Sequence, residues 1–387
     1  MTPEDTIVCL CTSQNFEIRH QQNLIDLCRS QPIQWDLVFA TADQHQVAPL
    51  VYANLSSLAN GDVNIPSDVL SRFKKAQIRN IFVKKRTRVM LEKVLALFAQ
   101  KGIEVMLVKG GALSHLVYEQ PWYTVSYDVD LVIRAREEEL TKSDHREIWG
   151  LLEGFNREGN EFKEHIEYDF YEHHDITMNN VLTVDWERIW AEAQKVQIAG
   201  YDVFVMTPED MLLATAINSC RKRFFRLKSL CDLASIIEKY PNLDWHTVVS
   251  RAHAYKCNTI LYTALVVTQN TLGCHLPDGM VTDLKVNPLR VSLVRYLVNN
   301  LSQRLSLSNL FVHSENATFK RTLSWSLFLT YATYRVDLFW PKLGELYAAW
   351  RNSPSPVPGR QLKTKDCQNE RPVYPGDRRL DADPRSR

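Results

Sequence analysis

The first hundred residues carry a helical pattern of apolar positions. Between residues 15 and 100, apolar side chains recur three and four positions apart, as at Val47, Leu50 and Val51. Residues at this spacing lie on one face of an α-helix, where they can pack against a core. The sequence therefore predicts a helical N-terminal segment, residues 1–100.

The pattern changes near residue 103. Residues 103–109, IEVMLVK, form a short β-rich run that Gly110 and Gly111 follow. Beyond the glycines, Leu113 and Leu116 restore the helical spacing. Because glycine pairs commonly mark turns, this stretch predicts a strand, a tight turn and a helix.

A second strand is predicted from SYDVDLVIR, residues 126–134, where side chains alternate with a period of two. Successive side chains of a strand point to opposite faces. Asp128 and Asp130 therefore share one face, whereas Val129 and Leu131 lie on the other. The prediction is a pair of carboxylates on one face of a strand.

A hairpin and a helical region are predicted farther along the chain. The hairpin runs from HHDITM through Asn179 and Asn180 to VLTVDW, because asparagine tolerates the positive φ of a tight turn. Asp185 would lie near the end of its second strand. In TPEDM, Thr207 can cap a helix whose first turn contains Pro208, and helical spacing then continues to about residue 346.

Composition narrows the class of protein without naming it. The 387 residues are 45% hydrophobic and 24% charged, as in ordinary globular chains, and 46 Lys and Arg residues nearly balance 45 Asp and Glu residues. This balance argues against a dedicated nucleic-acid or membrane-surface binder. The eight cysteines have no metal-binding spacing, and the N-terminus has no signal-peptide pattern, so we expect a cytoplasmic protein with reduced thiols and no membrane partner.

The paired aspartates suggest metal chemistry. Carboxylate oxygens at this spacing can hold Mg²⁺ together with the phosphates of a substrate. A glycine turn that opens a helix lets backbone N–H groups approach a triphosphate, and Lys109 adds a positive charge. A third carboxylate usually completes such a site, and Asp185 is the best-placed residue by pattern, with Glu187 or Asp175 as alternatives. A D-x-D pair also occurs on ordinary solvated strand edges, so the order and spacing of all these elements carry the prediction.

The same residues resemble a known family. LVKGGALSHLVY and the following SYDVDLVI are similar to the signature of an uncharacterised nucleotidyltransferase family in the DNA polymerase β-like superfamily. The resemblance extends over about residues 15–346. It implies a mixed-sheet core and transfer of a nucleotidyl group from a nucleoside triphosphate with Mg²⁺ or Mn²⁺. It also implies Asp128 and Asp130 as metal ligands and Asp185 as the third carboxylate.

The predicted architecture is α+β, with a polymerase β-like core of mixed sheet between helical segments. The predicted segments are an N-terminal helical region, residues 1–100, a catalytic core, 101–205, a C-terminal helical domain, 206–350, and a disordered tail, 351–387. The tail is expected because six of the sixteen prolines follow residue 352. Lys109, Gly110 and Gly111 are predicted to contact the triphosphate; the acceptor stays open among protein hydroxyls, small molecules, sugars and RNA ends.

Two alternatives to an active nucleotidyltransferase remain open. The family commonly has an arginine four residues before the first aspartate, where this chain has Thr124. A degenerate member that binds nucleotide or a partner protein without turnover is therefore one alternative, and a D-x-D glycosyltransferase is a more distant one. The basic run RKRFFRLK could also contribute, with Arg221 or Arg223 beside the nucleotide.

Overall fold

The computed structural model describes residues 1–58, 63–135, 139–158, 165–170, 182–221 and 226–304. Helices precede, interrupt and follow five strands in this part of the chain. The helices are α1 (Pro3–Leu10), α2 (Ile18–Ser30), α3 (Trp35–Gln44), α4 (Ala48–Leu58), α5 (Ser67–Gln100), α6 (Lys109–Leu116), α7 (Lys142–Glu158), α8 (Trp186–Glu192), α9 (Pro208–Arg221), α10 (Leu227–Lys239), α11 (Trp245–Ala254), α12 (Asn258–Leu272), α13 (Met280–Asp283) and α14 (Pro288–Arg304). The strands are β1 (Val105–Val108), β2 (Asp128–Ile133), β3 (His165–Phe170), β4 (Gln194–Ile198) and β5 (Tyr201–Val205).

The strands form one mixed sheet in the order β3-β2-β1-β5-β4. Strand β1 pairs antiparallel with β2 and parallel with β5, while β2 pairs parallel with β3. The register sets Val108, the last residue of β1, opposite Asp130. This pairing brings the glycine turn and the two aspartates to the same end of the sheet. The α+β class predicted from the sequence is confirmed.

The two faces of the sheet pack against different helices. Met106, Val108 and Val132 join a core that includes α9, α10 and α12. Leu107, Val129 and their neighbours join another core that includes α5 and α7. Strand β2 therefore has apolar residues on both faces, whereas its two aspartates, Asp128 and Asp130, reach the cleft described below.

A third core ties the N-terminal helices to the C-terminal half of the chain. Residues of α1, α3, α4 and the first turns of α5 surround the fully buried Phe73. Leu227, Leu230 and Cys231 of α10 belong to the same core. Helix α10 is therefore anchored by apolar contacts on the N-terminal side, and the backbone N–H of Leu227 also donates to Nδ1 of the buried His45.

Two local features differ from the sequence-based prediction. Residues 182–185 do not form a strand; Asp185 instead caps α8, and its Oδ1 accepts from the backbone N–H of Arg188 at 3.0 Å. The predicted strand is wrong here because aspartate before an amphipathic segment satisfies free helix N–H groups. The β4–β5 hairpin, which the sequence did not predict, turns at Ala199 and Gly200, both with positive φ.

Several predicted features fall outside the described residues, among them the turn at Asn179 and Asn180 and the tail, 351–387. The described residues all belong to one compact unit, Met1–Leu343. The segment boundaries proposed at residues 100, 205 and 350 stay predictions. Among the described helices, none combines the length and the apolarity that crossing a membrane requires.

Candidate active site

Two glycines pack closely in the turn between β1 and α6. Lys109 begins α6 with a φ of 52°, and Gly110 and Gly111 follow. A Cβ on Gly110 would lie 2.7 Å from Oγ of Ser126, and one on Gly111 would lie 2.8 Å from Cδ1 of Leu107. Both distances are shorter than Cβ contacts in real structures, so the side chain of Ser126 or Leu107 would have to shift to admit a Cβ. The glycines therefore let the first turn of α6 approach both β1 and the segment that leads into β2.

The two aspartates of β2 lie at the mouth of a cleft. Asp128 is exposed as the first residue of the strand, and Asp130 is partly buried one pleat farther in. The Nζ of Lys109 lies 2.6 Å from Oδ1 of Asp130, and both side chains are mostly buried, 19% and 16% exposed. The strand register explains this contact, because Lys109 follows the residue paired with Asp130.

The cleft encloses about 820 Å³, including the part open to solvent. Its walls come from the turn, from both carboxylate positions and from α9 and α10. The polar and charged lining residues are Gln46, Lys109, Ser126, Tyr127, Asp128, Asp130, Thr215, Asn218, Arg226, Lys228 and Asp232. The structure thus brings together four of the six predicted site residues, namely Lys109, Gly110, Asp128 and Asp130.

The other two predicted residues lie elsewhere. Gly111 packs behind the cleft against Leu107 and Val129 and is not among the lining residues. Asp185 is exposed at the start of α8 and is likewise outside the lining set. Glu187 follows in the first turn of α8, whereas Asp175 lies outside the described residues.

The two aspartates of β2 carry the type of oxygen ligand that a magnesium ion prefers. Mg²⁺ in enzyme sites is commonly held by one or two carboxylates, with substrate phosphates and water completing the octahedron. Asp128 and Asp130 supply two such groups, and the ammonium of Lys109 against Asp130 indicates that this position favours a cation. Within the described residues, no group of three or more His, Cys, Asp or Glu side chains is arranged to hold a metal.

A second charged group in the cleft was not predicted from the sequence. Asp232 on α10 is 4% exposed and forms an ion pair with Lys228 at 2.6 Å. Tyr118 and Thr124 donate hydroxyl hydrogen bonds to the same carboxylate, at 2.8 and 3.3 Å. Burial, with the charge of Asp232 next, raises the pKa of Tyr118 well above its usual value, so the phenol stays a donor. The only signal in the sequence was the basic run RKRFFRLK, which ends at Lys228.

The arginines suggested for this role are not the residues that line the cleft. The side chain of Arg221 and the whole of Arg223 lie outside the described residues. Arg226 and Lys228, at the start of α10, line the cleft instead.

A mixed sheet with a glycine turn and paired carboxylates in one cleft is the arrangement expected of a nucleotidyltransferase core. The family described as "Uncharacterised nucleotidyltransferase" matches residues 31–273. Since this match covers more than half of the chain, the protein belongs to that family and is a nucleotidyl-transferring enzyme. No curated protein and no solved structure matches the chain.

Proposed function

We propose that the protein transfers a nucleoside monophosphate group from a nucleoside triphosphate to a hydroxyl acceptor and releases pyrophosphate. The observation that carries this proposal is the shared cleft, where Asp128 and Asp130 face the first turn of α6 and Lys109. Carboxylates and phosphate-binding groups must lie within a few ångströms of each other for this reaction. Family membership supports the general activity, while the metal and the substrates belong to the proposal.

In the proposed mechanism, Asp128 and Asp130 would hold Mg²⁺ or Mn²⁺, and the first turn of α6 with Lys109 would contact the triphosphate. When bound, the metal would neutralise phosphate charge and help to orient the reacting oxygens. The acceptor oxygen forms a bond to the α-phosphorus as the bond to the bridging oxygen breaks, so pyrophosphate leaves. The hydroxyl proton would pass to a carboxylate or to water. Asp185, which the family resemblance implies for this role, does not line the cleft, so its part in the reaction stays a prediction.

The chemical nature of the acceptor is left open by this proposal. A protein hydroxyl, a small molecule, a sugar and an RNA end all supply the oxygen that the reaction needs. The test therefore uses a cell extract as the source of acceptor and follows where the label goes.

The decisive experiment measures pyrophosphate release from each of the four nucleoside triphosphates, labelled at the α-phosphate, with Mg²⁺ or Mn²⁺. We expect the Asp128→Asn/Asp130→Asn double variant to lose about 10³-fold or more in turnover, because the charge that binds the metal is gone. Asp202→Asn is the matched control, since Asp202 is an exposed aspartate on β5 of the same sheet. The control should transfer label at the wild-type rate.

Either of two results would count against catalysis at this site. Unchanged turnover in a folded double variant would exclude the two aspartates as ligands. Nucleotide binding without any metal-dependent pyrophosphate release in the wild type would instead favour the binding-module alternative. The D-x-D glycosyltransferase alternative has lost its support, because the family match is to nucleotidyl transfer.

A further inference from the structure

Asp232 holds a lysine in a fixed position inside the cleft. Its Oδ2 lies 2.6 Å from Nζ of Lys228, one helical turn earlier on α10, and the two side chains are 6% and 14% exposed. Its other oxygen accepts from the hydroxyls of Tyr118 and Thr124. A buried carboxylate with three donors cannot move without leaving polar groups unsatisfied. The position of the Lys228 ammonium is therefore set by this network.

The ammonium of Lys228 lies beside the start of α6. A Cβ built on Gly110 would be 3.9 Å from Nζ of Lys228, and both residues line the cleft that contains Asp128 and Asp130. Val108 gives the first turn of α6 no side-chain cap. Free backbone N–H groups at a helix start attract anions, and a lysine ammonium beside them strengthens that preference.

Positive charge around Lys228 exceeds what Asp232 offsets. Burial lowers the pKa of Lys84, on α5, to about 7, with the charge of Lys228 as the next cause and Asp232 opposing it. The pKa of His115 on α6 is lowered to about 4 by burial and then by Lys84 and Arg88. Lys84 and Lys228 are therefore close enough to repel each other, and Asp232 offsets only part of that repulsion. A bound anion would supply the missing charge.

We propose that Lys228, held by Asp232 and Thr124, binds the pyrophosphate end of the nucleoside triphosphate, the β- and γ-phosphates. The identity of the anion rests on the proposed function, whereas the anion site itself rests on the contacts above. Lys109 and the carboxylates then lie on the side of the α-phosphate, and Lys228 lies on the side of the leaving group. Thr124 is a positioning residue in this arrangement, because its hydroxyl donates to Asp232 and it is not among the residues that line the cleft.

The test measures binding of inorganic tripolyphosphate and of a nucleoside monophosphate to the full chain by calorimetry, without divalent metal. We expect Lys228→Gln to weaken tripolyphosphate binding about tenfold or more, because a charge-assisted contact is lost. Binding of the monophosphate should not change. Lys228→Arg should stay within about threefold of wild type, since it keeps the charge. Lys239→Gln, an exposed lysine at the end of the same helix, is the control.

Thr124 provides a finer test of positioning. Thr124→Val keeps the shape and removes the hydroxyl, so we expect a loss of about two- to fivefold in tripolyphosphate affinity. Thr124→Ser restores the hydroxyl and should restore affinity. A purely structural role would lower the melting temperature without separating tripolyphosphate from monophosphate binding, and that result would overturn the positioning role.

Folding of the variants is controlled directly. Because Lys228→Gln leaves Asp232 without its ion pair, the double variant Lys228→Gln/Asp232→Asn removes both charges together and is measured in parallel. Wild-type tripolyphosphate affinity in either folded variant would overturn the proposal. An equal loss in Lys239→Gln would also overturn it, because the effect would then be general electrostatic attraction.

The outcome separates this inference from the proposed function. Lys228-dependent tripolyphosphate binding in a protein that never releases pyrophosphate would keep the anion site and reject catalysis. Normal turnover with an unchanged KM for nucleoside triphosphate in Lys228→Gln would keep catalysis and reject the assignment of Lys228 to the β- and γ-phosphates.

Discussion

Two aspartate–lysine pairs line the same cleft, and they differ in how firmly they are held. Asp130 and Lys109 lie 2.6 Å apart, as do Asp232 and Lys228. Asp232 is more deeply buried and has two additional hydroxyl donors, Tyr118 and Thr124. Asp130 is near the start of β2, beside the exposed Asp128.

The difference indicates two uses of the same chemical pair. The Asp232–Lys228 pair is locked by hydrogen bonds, so its ammonium keeps one position. Under the proposed function, the Asp130–Lys109 pair is exchangeable, because a divalent cation would replace the ammonium at a carboxylate that reaches the cleft. Substitutions at the Asp232–Lys228 pair should therefore mainly change stability, whereas substitutions at the Asp130–Lys109 pair should mainly change metal binding.

The largest expected effect is on stability. Asp232→Asn should lower the free energy of unfolding by about 3 kcal/mol, because it leaves the buried ammonium of Lys228 unpaired. Asp130→Asn should cost less, about 1–2 kcal/mol, because Asp130 is more exposed than Asp232. Urea unfolding of the two variants gives the comparison. Equal losses would mean that the two pairs do not differ in the way described.

A smaller effect is expected on metal affinity. Lys109→Met should tighten binding of Mn²⁺ about three- to tenfold without nucleotide, because the ammonium no longer competes for Asp130. Lys228→Met should leave Mn²⁺ affinity unchanged, since its partner is Asp232. Electron paramagnetic resonance of free Mn²⁺ measures both. Weaker or unchanged binding in Lys109→Met would show that the lysine does not occupy a cation position.

The smallest effect concerns Lys84 and pH. The pKa of Lys84 is lowered in the folded state from 10.5 to about 7, first by burial and then by Lys228. The unfolded chain therefore binds the proton more tightly, so folding loses stability as pH falls from 10.5 through 7. Lys84→Met removes this penalty and keeps the apolar stem. We expect its Tm to exceed that of wild type by about 2 °C at pH 7, with the difference shrinking towards pH 10.

The neighbouring exposed lysine provides the control for this measurement. Lys85 lies on the same helix at an exposed position. The Tm of Lys85→Met should therefore show no pH-dependent difference from that of wild type. A lower Tm for Lys84→Met than for wild type at pH 7 would contradict the sign of the effect.

The sequence pattern predicted the parts of the cleft that lie close together along the chain. Alternation in residues 126–134 predicted a strand with Asp128 and Asp130 on one face, and the glycine pair predicted the turn before α6. These features depend on periods of two and of three to four residues, which can be read directly. In the structure, four of the residues predicted from these features lie in one cleft.

Other local predictions failed for identifiable reasons. The segment before Asp185 has β-branched residues, but the aspartate caps α8 because its carboxylate meets a free helix N–H. The β4–β5 hairpin has alanine at position 199 with a φ of 51°, a conformation in which alanine is uncommon. The residue type at position 199 therefore did not predict that turn. The role of Asp185 as third carboxylate stays a prediction.

The sequence by itself determined the family, the carboxylate pair and the strand–turn–helix unit, because each is encoded in residues close together along the chain. Only the tertiary structure decided that Lys228 and Asp232, more than a hundred residues from Thr124, share the cleft with them. The physical reason is that apolar packing of Leu227 and its neighbours in the N-terminal core sets the position of α10, and the polar contacts in the cleft depend on that position. The sequence shows that Thr124 stands where the resemblance leads us to expect an arginine. Only the fold shows that the hydroxyl of Thr124 donates a hydrogen bond to Asp232.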